Sequence, residues 1–139
     1  MSGISMCLEQ TPEVDYLKYS FLNSYDICNR VDLNEYYTYY NYLYFQDTLT
    51  PVDFIEIRWN DLLGDLAGMC TKTYSGTIIE LNPIYLNKYP EEFPSIIVHE
   101  MIHLITLDHG DRFLEEVERI SKLGLEINVY CKHNLSVEG

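Results

Sequence analysis

His99-Glu100-Met101-Ile102-His103 places two imidazoles four residues apart with a carboxylate beside the first. Residues at that spacing on a helix share a face, with Cβ atoms about 5–6 Å apart, so both rings can converge on one metal ion. Zinc accepts imidazole nitrogen at about 2.0–2.1 Å, and a catalytic zinc keeps one of its four positions for water. Glu100 lies roughly 100° around the helix from His99 and is free to act as general base on that water instead of binding the metal. Two imidazoles hold the cation, the cation makes water acidic, and the carboxylate takes the proton.

This is the zincin arrangement, and its flanks support it. Residues 95–98 lead into the motif and Leu104-Ile105 leave it, with apolar positions 97, 101, 104 and 105 marking a buried stripe. Pro94 suits a first helical turn, and Glu91 and Glu92 stand where a helix start favours negative charge. A helix over about 94–107 is predicted. Glu100-x-x-His103 also fits half of a di-iron bundle pattern, but the second copy that pattern requires is missing. A mononuclear site is the better reading.

A third ligand is needed. His109 follows His103 by six residues, which on an unbroken helix would place it about 240° away from the metal face. The helix must therefore end near Thr106–Asp108 and the chain must fold back; Asp108-His109-Gly110-Asp111 is a suitable turn cluster. The His103-to-His109 spacing equals that of the metzincin pattern, although Thr106 replaces its glycine and no methionine turn follows. His109 is the leading candidate. His133, Asp108, Asp111 and the carboxylates of the 115–118 cluster are the others.

At 139 residues the chain is read as a single domain, 1–139. Its core covers about 31–125, preceded by a helical extension at 11–23 and followed by a tail at 126–139. Apolar residues at 47% and charged residues at 22% are ordinary for a globular protein. No apolar run reaches the roughly 18 residues that cross a membrane. Met1-Ser2-Gly3-Ile4 begins no export signal, so a cytoplasmic location is expected. Cys7, Cys28, Cys70 and Cys131 form no C-x-x-C pair and read as reduced thiols filling the core. The formal charge of −13 repels phosphate backbones, so direct nucleic-acid binding is not expected, and it favours a basic substrate or partner. Nothing in the sequence fixes the oligomeric state.

The positioning elements follow from caps and periodicity. Thr11-Pro12-Glu13 opens a helix to about residue 23. Asp32-Leu33-Asn34-Glu35 forms a capping box that launches a helix to about Phe45 through six tyrosines, Tyr36, Tyr37, Tyr39, Tyr40, Tyr42 and Tyr44. With Tyr36, Tyr40, Leu43 and Tyr44 on one face and no basic residue after Arg30 in this stretch, packing explains them better than base stacking. Residues 54–59 alternate as a strand, and 66–73 and 77–81 flank Tyr74-Ser75-Gly76 as a hairpin. Phe113, Val117 and Ile120 share a face of a helix that Gly124 closes, and 125–130 alternate as a last strand. The sum is an α+β domain, an antiparallel or mixed sheet with the metal helix across one face.

Over residues 31–125 the chain resembles the SprT-like zinc metalloproteases, a family that includes bacterial SprT proteins and the Spartan proteases that digest proteins crosslinked to DNA. The resemblance rests on five pieces in the family's order. They are Tyr44-Phe45 ahead of Leu49-Thr50-Pro51; Ile55-Glu56-Ile57-Arg58-Trp59; Ala67-Gly68-Met69-Cys70; Ile78-Ile79-Glu80-Leu81-Asn82; and the histidine motif with His109-Gly110-Asp111-Arg112-Phe113. It implies a zincin-like minimal metalloprotease fold, His99, His103 and His109 as zinc ligands, and Glu100 as catalytic carboxylate. Two departures stand out: the segment from His103 to His109 is shorter than in many members, and the cysteine-rich zinc ribbon and DNA-binding appendages are not seen. The expected function is zinc-dependent hydrolysis of a protein or peptide substrate, laid in extended form along a strand edge for which 77–81 is the candidate. The alternatives are a catalytically silent zinc-stabilised binding module and a protease recruited to DNA-bound proteins through a partner.

Overall fold

A computed structural model describes residues 26–129. The expected helix at 11–23, Cys7, Cys131 and His133 lie outside the described residues.

The helix α1 (Leu33–Phe45) starts where its cap dictates: the Asp32 carboxylate accepts from the backbone N–H of Asn34 at 3.0 Å and Glu35 at 3.3 Å. It ends at Gln46 and Asp47, both in the left-handed region. Tyr36, Tyr37, Tyr40 and Tyr44 are buried, and Tyr36 meets Phe93 edge-on at 5.1 Å between centroids. The tyrosine cluster is therefore core material, as packing required. The predicted face is rotated slightly: Leu43 is exposed and Tyr37 is fully buried, its hydroxyl donating to the Thr50 carbonyl. Asn41, also buried, bonds both backbone groups of Leu49 and so fixes the chain's exit toward the sheet.

The sheet has three strands, β1 (Glu56–Trp59), β2 (Gly68–Thr73) and β3 (Gly76–Leu81), in the order β1-β3-β2. It is mixed. β1 runs parallel to β3, with Glu56 opposite Ile78 and Trp59 opposite Leu81. β2 returns antiparallel, with Gly68 opposite Leu81 and Thr73 opposite Gly76. β3 is central because it can be buried on both faces: Ile79 and Leu81 fill the core, and Glu80 on the other face is paired with Arg58, whose Nε lies at 2.9 Å, and accepts a hydrogen bond from the Asn60 amide at 3.0 Å. A central strand has no free edge, so 77–81 is not where an extended substrate adds. Among the described residues, the edge beside the metal helix belongs to β2.

Asn82-Pro83 ends β3, as the sequence indicates, and also starts a short helix, α2 (Pro83–Lys88), that periodicity did not reveal. Asn82 caps it through Ile84 N at 3.0 Å while its amide donates to the carbonyls of Gly64 and Leu66 at 3.2 and 2.8 Å. The helix α3 (Phe93–Ile102) carries the histidine motif and packs against β2 and β3. The helix α4 (Asp111–Ser121) follows a short turn, with Phe113 and Ile120 buried. Residues 125–129 are not a strand. Their alternation arises because Ile127 is buried against the core, with Leu125 and Val129 packed beside it; no sheet edge pairs with them among the described residues. No described helix is long and apolar enough to cross a membrane.

Candidate metal centre

The helix α3 is apolar on nearly every side. Ile97, Val98, Met101 and Ile102 are fully buried, with Pro94 in the first turn where its missing N–H is no loss. Such a helix carries His99 and Glu100 out of water with it. It stops earlier than its apolar stripe suggests. His103 is already the C-cap, and the chain tightens into bonds three residues apart: His103 N to Glu100 O at 3.1 Å, Leu104 N to Met101 O at 3.0 Å and Ile105 N to Ile102 O at 2.8 Å. The early stop supplies the turn that folds His109 back. Asp108 then accepts from Gly110 N at 3.0 Å, a local side-chain turn that leads into α4.

The result is convergence. The ring centroids of His99, His103 and His109 are 5.1, 5.1 and 4.9 Å apart, and Phe113 packs against all three at 4.9, 5.1 and 4.7 Å, edge-on to His99 and His109 and tilted to His103. One potential donor nitrogen from each of the three rings lies within 4.8 Å of the other two. His99 Nδ1 is 3.0 Å from the Asn128 carbonyl and His103 Nδ1 is 2.9 Å from the Thr106 carbonyl. A carbonyl only accepts, so each Nδ1 carries the proton and each Nε2 keeps its lone pair, the tautomer a metal ligand needs. His103 Nε2 is buried with no hydrogen-bond partner. His99 Nε2 and His109 Nε2 face each other at 3.2 Å, close to the separation of about 3.3 Å for two nitrogens around a tetrahedral ion at about 2.0–2.1 Å. An orphaned buried nitrogen beside two facing ones is costly without a guest and natural with a cation. The residues fit a metal ion.

Glu100 is buried at 1% exposure, and its Oε1 has no hydrogen-bond partner. Burial pushes its carboxyl well above the usual carboxylate range, the direction that suits a base working near neutral pH. The other sequence candidates among the described residues do not join the cluster. Asp108 is engaged in its own turn, and Asp111 opens α4. Glu116 is buried between Arg112 at 2.9 Å and Arg119 at 2.6 Å, so that carboxylate is already neutralised.

The family model described as SprT-like family matches residues 33–133. The chain belongs to the SprT-like family. The match runs from the first residue of α1 through the sheet and all three later helices, so it covers the whole scaffold of the histidine cluster. This SprT-like chain accordingly carries a metalloprotease-type domain with a histidine triad able to hold a metal. No curated protein matches it.

Sequence reasoning missed three participants. Phe113 was placed on a core face without its contact with the histidines; its position four residues after His109 was the available signal. The carbonyls of Thr106 and Asn128 gave no signal, because every residue carries the same group.

Proposed function

We propose that this protein is a zinc metallopeptidase in which His99, His103 and His109 hold the ion and Glu100 is the general base. The observation that carries the reading is the pair of Nδ1-to-carbonyl contacts, at 3.0 and 2.9 Å, which leave the lone pairs of His99 and His103 aimed at the space His109 also faces. When bound, zinc supplies a Lewis acid for the scissile carbonyl and lowers the pKa of a coordinated water toward about 7. The chain's own residues do the rest. Glu100 accepts the proton of the attacking water and delivers it to the departing amine, a role helped by the higher proton affinity that burial gives it. The three imidazoles would hold the ion, and Phe113 packs against all three rings and restricts their movement. An extended substrate adds to the edge of β2 that no strand among the described residues covers, where backbone hydrogen bonds hold it independently of side-chain identity.

The test compares wild type, Glu100→Gln and His103→Ala for bound zinc and for cleavage of a flexible protein. Glu100→Gln is expected to keep the metal and lose at least about a hundredfold in kcat, while His103→Ala loses both. A wild type that binds zinc and cleaves no better than Glu100→Gln would leave only a zinc-stabilised binding module.

A further inference from the structure

We propose that Gly68 is a positioning residue for the general base: its missing side chain makes the seat in which the Glu100 carboxylate rests. The inference deepens the metallopeptidase reading and rests on it. Gly68 opens β2 with a backbone outside the left-handed region, so nothing in its conformation requires glycine. Gly64, Gly76 and Gly124 show the opposite pattern, with φ of 65, 145 and 108° and open space where a Cβ would stand. At Gly68 a Cβ would lie 3.1 Å from both Cγ and Oε2 of Glu100, and 3.1 Å from Cδ2 of Leu81, its cross-strand neighbour. Glycine inside a strand marks a place where another group must come close. Here that group is a carboxylate.

The contact reaches Cγ as well as the oxygen, so a methyl group at 68 displaces the whole side chain and does not merely turn its tip. Glu100 is 1% exposed, and its helix neighbours Val98 and Met101 are fully buried, which leaves little room to retreat. Oε2 rests on the strand, and Oε1 is buried without a hydrogen-bond partner, so among the described residues neither oxygen has a second contact that would hold the carboxylate in place if the strand pushed it. A shift of a few tenths of an ångström at a reacting group costs on the order of tenfold in rate, since about 1 Å costs about a hundredfold.

The experiment has a kinetic and a stability arm, both on the full chain. Gly68→Ala is expected to keep wild-type zinc content and KM while kcat falls roughly tenfold; Gly68→Val falls further. In the stability arm, Gly68→Ala lowers the melting temperature of the wild type by overpacking and lowers it clearly less in a Glu100→Ala background. There the contacts with the glutamate are gone, and the Leu81 contact is set against the gain from a stiffer unfolded chain. That coupling between positions 68 and 100 is independent of activity, and a glycine kept only for its cross-strand neighbour would not produce it. Equal destabilisation in both backgrounds, or relief only by Leu81→Ala, assigns the glycine to the cross-strand pair and overturns the inference. So does a Gly68→Ala protein with full kcat when Glu100→Gln has lost it. Equal cleavage by wild type and Glu100→Gln instead overturns the base assignment beneath it.

Discussion

Glu100 is the residue whose environment says most about the site. A carboxylate loses strong hydration when buried, and that loss is offset only by a partner charge or hydrogen bonds. The described residues give Oε1 neither. Its raised pKa in the metal-free chain means that the folded state holds the proton more tightly than the unfolded state. Stability from this group is therefore complete at low pH and declines as pH rises above the ordinary glutamate value of about 4.3. In chelator-treated protein, Glu100→Gln should melt higher than wild type at pH 8, with the difference vanishing near about pH 4. A pH-independent difference would mean that the carboxyl is solvated or paired. The thiols make a useful contrast. Burial, aided by neighbouring acidic charge, pushes Cys70 up to about 12, and Cys28 also reaches about 12. Both are protonated at neutral pH and neither is in a disulfide; Cys70 packs against the core as its reading requires, whereas Cys28 lies partly exposed beside Asp26 and does not.

At the scale of elements, single polar side chains set where the chain turns. Asn82 caps α2 and pins the loop that delivers Gly68 to the edge strand, through bonds of 2.8, 3.0 and 3.2 Å from a residue 2% exposed. Asn82→Ala should destabilise the protein by about 2–4 kcal/mol, combining a lost cap with buried carbonyls left unpaired; denaturant melts check this. A loss below about 1 kcal/mol would mean water replaces the amide. Elements with a local chemical start or stop were legible in advance. Asp32 announced α1, and Gly76, at φ 145°, announced the hairpin. Asn82-Pro83 was legible too, but it reads equally as a strand end and a helix start, and only the first was recognised. Strand order was not legible, because β3 is central through burial on both faces, and its buried Glu80 breaks the apolar run that would signal this. The metal helix ends at Ile102 because local bonding tightens there, although apolar residues continue beyond it. The site divides the same way. Spacing marked His99, Glu100 and His103 and asked for a fold-back at His109, whereas the carbonyls that orient the rings are invisible in any sequence.

The whole molecule adds a long-range field. Nine basic residues against 22 acidic ones give a formal charge of −13, spread over a chain whose candidate centre is assembled from neutral rings. A field of that sign raises the local concentration of basic chains and repels nucleic acid. At low salt, kcat/KM for a flexible basic substrate should exceed that for an acidic one of equal length by about tenfold or more. The ratio should collapse toward unity as salt approaches about 1 M, where screening acts within about 3 Å. A preference that ignores salt would place the selectivity in local contacts along β2.

The central claim is that one metal ion is held by three imidazoles and by no sulfur. X-ray absorption at the zinc edge of the zinc-loaded chain reads this directly. The account predicts one zinc per chain, with a first shell of three imidazole nitrogens and one oxygen at about 2.0–2.1 Å. A shell at about 2.3 Å, the distance of zinc from thiolate sulfur, or a spectrum unchanged in His109→Ala, would contradict it.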